Sequence, residues 1–238
     1  MKRDSRGIWI VVLALAALWR APAYAQRIPL PQVAPGGAQV AIYYDGPQEI
    51  LSEGPLDARQ IQNLLGHFGL SGVIIPLANF RPGQLATYQA AFFVGTAVGT
   101  NFPTRFLEEV RNSQKPFAWV GRHLDRLLDT PQVQQRFGFS YVDYFDDMEF
   151  REVHYKGVVL PKEDPDLNIV KVEQPAAVRV HATARNQEGI SYPYAVQHER
   201  FWYFADIPFS YAEEGGRYLV FCDLLHDVQR RVCSAVLK

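Results

Sequence analysis

The chain has 238 residues, with 24 Lys and Arg against 25 Asp and Glu for a formal net charge of −1. A balance this even excludes the broad basic field that recruits nucleic acid or an anionic membrane surface. With 12 Tyr and 15 Phe, the aromatic content suits packed sheets and, on an exposed face, stacking against sugar rings.

Lys2, Arg3 and Arg6 give a basic start, Ile8 to Trp19 an apolar run, and Ala21 to Ala25 (APAYA) an A-x-A site ahead of Gln26. The pattern predicts a signal peptide over residues 1–25, and so an exported protein, periplasmic or extracellular. The run is too short to span a membrane, which takes roughly 20 apolar residues. Arg20 argues against a longer span, although an uncleaved anchor stays open as an alternative. No segment after the signal peptide reads as a membrane span.

Residues 26–37 hold three prolines and a Gly-Gly pair and read as an extended lead-in. From 38 to 138 two patterns alternate. Gln39–Tyr44, Gly72–Pro76, Ala90–Val94 and Pro116–Val120 are short, nearly continuous apolar runs, the mark of strands covered on both faces. Between them, Ile61, Leu64, Leu65 and Phe68 fall at helical spacing within Asp57–Phe68, with Gly69 as the C′ residue. Thr104–Asn112 carries the stripe Phe106, Leu107, Val110, and Leu124–Leu128 and Val133–Phe137 suggest short helices. Strand and helix in alternation predict an α/β fold with a doubly wound parallel sheet, flavodoxin-like or amidotransferase-like.

Residues 139–238 change character. His154–Leu160, Asn168–Val172, Ala177–Ala184, Tyr192–Val196 and Phe201–Ala205 are β-rich runs separated by turn signals at 161–165, 186–189 and 213–216. They predict an antiparallel, β-rich region. Tyr218–Cys222 reads as one further strand, its return to the first sheet left open, and Leu224–Val228 as the start of a helix. Cys222 and Cys233 are the two cysteines. In an oxidising compartment they either pair across a short loop or stay apart, one in a strand and one on the tail.

Several motifs are incomplete. Phe145-Asp146-Asp147 resembles the FDD core of metal-dependent deacetylases, but Met148-Glu149 follows and no two histidines stand at metal-binding helical spacing, so a solvated loop is expected and no metal. Gly95-Thr96-Ala97-Val98-Gly99 occupies the place of a nucleophile elbow with alanine at its centre, which leaves it without a nucleophile. It is neither a dinucleotide fingerprint nor a Walker motif, and no cofactor is expected.

Ligands of doubly wound sheets lie beyond the carboxyl ends of the strands. That rule selects Tyr44 and Asp45 after the first strand, Asn79 after the second, Gly95 and Thr96 after the third, and Gly121, Arg122 and His123 after the fourth. The competing reading makes Asp45 and Asn79 simple caps of turns and helices. Trp202 and Phe204, sharing one face of a strand, are candidates for an aromatic platform, with core packing as the alternative.

The stretches YYDGPQEI (43–50), DARQIQNLLGHFG (57–69), AAFFVGTAVGTNFPTRFLEEV (90–110) and KPFAWVGRHLDRL (115–127) together resemble a known family. So do HYKGVVLP (154–161), PYAVQHERFWYFADIPFSY (193–211) and RYLVFCDLLHDV (217–228). It is an uncharacterised bacterial family of exported proteins in which a polysaccharide-deacetylase-like domain follows the matching region. The resemblance implies a module associated with polysaccharide deacetylation. Its expected partner is a polysaccharide, or a deacetylase domain or chain.

In that family the catalytic barrel begins shortly after the segment matching LLHDV, whereas here Gln229 to Lys238 follow. No catalytic residue therefore carries over. The resemblance leaves three expectations open: a non-catalytic binding or positioning module, the front part of a deacetylase, or an enzyme with a site in the α/β crevice.

Overall fold

The structure, a computed structural model, describes residues 39–49, 52–162, 164–206 and 219–236, the last stretch with side chains for 221–230. The expected signal peptide and lead-in lie outside the described residues.

A nine-stranded sheet organises the chain in the order β2-β1-β3-β4-β11-β10-β9-β6-β7, and a two-stranded ribbon, β5-β8, stands apart from it. The first four strands are β1 (Val40–Tyr44), β2 (Gly72–Pro76), β3 (Ala90–Gly95) and β4 (Phe117–Gly121), all parallel. Their apolar runs follow from burial: every residue of β1, β3 and β4 is covered. Helix α1 (Glu53–His67) links β1 to β2, and α2 (Thr104–Asn112) links β3 to β4. The short helices α3 (Leu124–Leu127) and α4 (Pro131–Phe137) follow β4. Helix α4 starts on Thr130, whose Oγ1 accepts from the Val133 amide, with Pro131 beside the cap, and it stops at Gly138 with φ 75°. A Cβ at Gly138 would also meet Val178 Cγ2 at 2.7 Å, so glycine is required twice over.

The antiparallel strands are β6 (Phe150–Tyr155), β7 (Val158–Pro161), β9 (Val178–Asn186), β10 (Ser191–His198) and β11 (Phe201–Phe204); the ribbon is β5 (Phe139–Phe145) with β8 (Leu167–Val172). Strand β11 is antiparallel to β10 and parallel to β4, and it is the seam that joins the two halves into one sheet.

Three sequence expectations need correction here. The run His154–Leu160 is not one strand. It folds back at Lys156 (φ 47°) and Gly157 (φ 81°), the two positive φ angles that a tight two-residue hairpin needs. No strand occupies residues 219–222, because a single helix, α5 (Leu219–Val236), begins there; Tyr218 lies outside the described residues. The strand that returns to the parallel sheet is β11 instead.

Side chains line up across the sheet in rows. Tyr43, Phe93, Trp119 and Tyr203 share one register row, and Ile42, Phe92, Ala118 and Trp202 share the next, on the opposite face. Phe106 of α2 packs edge-on against Tyr43 and contacts Phe93, Phe117 and Trp119, which fixes α2 on the first face. Phe139 of the ribbon continues that layer against Tyr203. On the other face Phe221 of α5 stacks on Phe204 at 4.3 Å, and Gln229 donates to the Phe68 carbonyl at the end of α1. Among the described residues no helix is long and apolar enough to cross a membrane.

Candidate functional site

The carboxyl ends of β1, β3, β4 and β11 face one way, and the chain segments leaving them interlock. Asp45, just past β1, has a side chain with no solvent exposure. Its Oδ1 accepts from the amides of Thr96 (2.7 Å) and Ala97 (3.1 Å) and from Thr96 Oγ1 (3.3 Å). Its Oδ2 accepts from Thr100 Oγ1 (2.7 Å) and lies 3.0 Å from His123 Nε2. Burial alone would push this carboxyl up, but the hydrogen bonds from His123, Thr96, Thr100 and Ala97 outweigh it and hold it below the usual carboxylate range. His123 Nε2 is also 2.6 Å from the Ala97 carbonyl. Both neighbours are acceptors, so Nε2 carries the proton. His123 sits in the left-handed region at φ 70°, the backbone cost of aiming its ring at Asp45.

The glycine of β3 lets two strand ends approach. A Cβ on Gly95 would lie 2.6 Å from the Arg122 carbonyl oxygen, and that same oxygen accepts from Trp119 Nε1 at 2.8 Å. The Arg122 side chain projects beyond the sheet. Its guanidinium lies 4.6 Å from the centre of the Tyr144 ring, and Nη2 donates to Tyr144 Oη at 3.1 Å. Tyr144 Oη in turn donates to Asp166. Burial, with the bond to Asp166, pushes the phenol up to about 12.

A cleft of about 380 Å³ opens where these parts meet. Gly95, Thr96, Gly121 and Arg122 form one wall, and Tyr144, Asp164, Asp166 and Asn168 of the ribbon another. Glu53, Leu56, Asp57 and Gln60 of α1, with Ala205 and Asp206 after β11, complete the lining. Lys162, with a fully buried side chain, stands behind it, 2.8 Å from Asp206 Oδ2 and donating to the carbonyls of Asp164 and Asp166. Asn168 Nδ2 donates to the Ala205 carbonyl at 2.9 Å and ties the ribbon to the end of β11. Asp57 is 7% exposed, and burial, reinforced by Glu53 and Asp206, pushes its carboxyl up to about 7.

Of the residues expected from sequence, Gly95, Thr96, Gly121 and Arg122 line this cleft. Asp45 and His123 are brought together, but against each other and away from the lining. Tyr44 is buried beneath α1, where a Cβ on Gly54 would meet its Cδ2 at 2.9 Å. Asn79 is exposed in the 3-10 turn Leu77–Asn79 and takes no part in the cleft.

The aromatic platform is corrected. Trp202 and Phe204 are 2% and 0% exposed, packed beneath His181 and Phe221. The surrounding aromatic stretch at 207–211 lies outside the described residues. Asp146 and Asp147 are exposed in the turn between β5 and β6. Among the described residues no three His, Cys, Asp or Glu side chains gather where a metal ion could sit. A larger groove of about 630 Å³ runs between β9–β11 and α5. In it His181 is engaged with Gln197 (3.0 Å) and Asp223 (3.4 Å), and Asp223 also with Lys156 (2.6 Å), which is not one of the lining residues.

Comparisons with known proteins place this arrangement among solved folds. No protein-family model matches the chain, and no curated protein matches it. A ThuA-like protein from Bacteroides uniformis superimposes with a TM-score of 0.52 at 12% identity, covering 85% of this chain and 95% of that one. The α-L-fucosidase isoenzyme 2 from Paenibacillus thiaminolyticus gives a TM-score of 0.55 at 15% identity over 82% of this chain. This chain spans 33% of the fucosidase's length. At these identities the likeness is one of fold, a mixed α/β architecture around a large sheet.

Proposed function

We propose that this chain is a non-catalytic, exported module associated with polysaccharide deacetylation, and that it binds or positions a polysaccharide, or its processing enzyme, through the cleft at the strand ends. The observation that carries the reading is the set of Arg122, Tyr144 and Asp166, linked in one hydrogen-bonded series on the wall of an open, polar cleft. A planar guanidinium, a phenol and a carboxylate offer donors and acceptors side by side, which suits the alternating hydroxyls of a saccharide. The parallel half is read as a flavodoxin-like or amidotransferase-like layer, supported by the strand order β2-β1-β3-β4, in which β1 and β3 flank the switch point. Export and the deacetylase association rest on the N-terminal pattern and on the family resemblance.

Calorimetric titration of the purified chain against a panel of bacterial polysaccharides tests the reading. Arg122→Ala and Tyr144→Phe should abolish or sharply weaken binding without changing the melting temperature. Binding that survives both substitutions places the ligand elsewhere.

One observation favours a second reading, an enzyme. A carboxyl held near 7 can both give and take a proton at neutral pH, as Asp57 would for general acid–base work. Product release from the same polysaccharides, lost in Asp57→Asn with the fold intact, would establish that reading in place of the binding module.

A further inference from the structure

We propose that the cleft selects sugars that carry a free amino group over their N-acetylated counterparts, seating the ammonium beside Asp57. This rests on the cleft being the ligand site and names the class of ligand it takes.

The argument starts from the charges on the lining. Glu53, Asp57, Asp164, Asp166 and Asp206 contribute five carboxyls, and Arg122 is the one cation among the lining residues. Lys162 stands against Asp206 at 2.8 Å, and Arg122 is directed at Tyr144. Among the described residues no cation comes within ion-pair distance of Asp57 or Glu53. Among the described residues the one polar contact of the Asp57 carboxyl is a 3.4 Å bond from Gln60 Nε2 on its own helix. A carboxyl 7% exposed thus lines the cleft with a single long contact from its own helix.

The groups that face it are Glu53 and Gln60 on α1, Asp206 after β11, Asp164 and Asp166 before β8, and Arg122 and Tyr144 across the opening. Burial and the acidic neighbours Glu53 and Asp206 push Asp57 up to about 7, the direction expected of a carboxyl with no cation beside it among the described residues. A ligand ammonium supplies that cation and three donors. An acetamide offers one N–H, no charge and more bulk. A metal ion is the other source of positive charge, but no cluster of metal-binding side chains forms here among the described residues.

The test is calorimetric titration of a β-1,4-linked glucosamine tetramer and of its N-acetylated counterpart, at pH 6.5 and pH 5. A charge-assisted hydrogen bond corresponds to roughly tenfold or more in affinity, so the amine tetramer should bind at least about tenfold tighter at pH 6.5. The preference should shrink at pH 5, because pairing with the ammonium then removes a proton from Asp57 at a greater cost than at pH 6.5, which is nearer its value of about 7. Asp57→Asn should reduce the ratio towards one while binding of the N-acetylated tetramer persists. The exposed Glu53→Gln provides a second variant should Asp57→Asn fail to fold, and it should lower the ratio by a smaller factor.

Equal affinity for the two tetramers, abolished by Arg122→Ala, overturns the selectivity and leaves the cleft as the ligand site. Binding of neither tetramer nor of any polysaccharide in the panel overturns the site itself. Calcium chloride alone raising the melting temperature as much as the amine tetramer would overturn the amine in favour of a metal.

Discussion

Asp45 Oδ2 and His123 Nε2 lie 3.0 Å apart, one residue just past the end of β1 and the other just past the end of β4. With the Thr96 and Ala97 amides bound to the other carboxylate oxygen, a single buried side chain ties three neighbouring strand ends together. The most suggestive acid–base pair in the sequence thus braces the strand ends and does not line the cleft. The same carboxylate anchors the loop 96–100 at Thr96, Ala97 and Thr100, although Val98 between them is 86% exposed.

Replacing Asp45 by Asn should therefore cost stability, roughly 3 kcal/mol at neutral pH, because charge-assisted bonds from two amides, two hydroxyls and an imidazole are weakened at once. The folded carboxyl sits below its ordinary value of about 3.9. Its contribution is present above that value and is lost as the pH falls through the lower folded one. Chemical denaturation of both proteins should show the gap closing below about pH 4. A gap unchanged at pH 2 would show that ionisation of Asp45 contributes nothing.

Phe204 and Trp202 should behave as core residues. Phe204→Ala removes a ring stacked on Phe221 at 4.3 Å with no solvent exposure, a change that costs about 3–5 kcal/mol. Thermal unfolding should reveal that loss, while polysaccharide binding per folded molecule stays at the native level. Binding lost in a variant that melts normally would return these rings to the ligand site.

The parallel half was legible because full burial writes itself as continuous apolar runs, and α2 matched its stripe from Thr104 to Asn112. The C-terminal helix was hidden by the residues around its opening: Tyr218, Val220 and Phe221 favour strands by type, though Phe221, Leu224, Leu225 and Val228 stand at helical spacing and are all buried. The hairpin at Lys156–Gly157 was masked by apolar residues on both sides of a two-residue turn. In the site, Gly95, Thr96, Gly121 and Arg122 followed from the rule for strand ends. Asp57, Tyr144, Asp166 and Asp206 did not, since only tertiary packing brings helix α1, the ribbon and β11 to one opening. The acidic turn Asp164-Pro165-Asp166 was the one local signal available.

The two cysteines should remain unbridged within one chain. Helix α5 carries both, eleven residues apart, which separates their Cα atoms by about 16 Å at 1.5 Å per residue. An intramolecular disulfide needs less than about 7 Å. Alkylation of the unfolded protein without reductant, followed by mass measurement, should therefore add two labels. A mass two protons lighter with no label would mean that α5 unwinds between them.

Asp57 should give the opposite pH signature to Asp45. Its folded value is raised to about 7, so the folded state holds a proton that the unfolded state, with an ordinary value near 3.9, has released. Below about pH 4 both states are protonated and the group costs nothing. Between about 4 and 7 stability falls with rising pH, and above about 7 the whole penalty applies, on the order of 2–4 kcal/mol. Asp57→Asn removes the ionisation while keeping the shape and the contact with Gln60. It should therefore raise the melting temperature at pH 8, leave it nearly unchanged at pH 4, and flatten the profile between. A substitution that destabilises the protein equally at both pH values would show that the carboxylate is paired in the folded state, and the site would then have no vacancy for a ligand's positive charge.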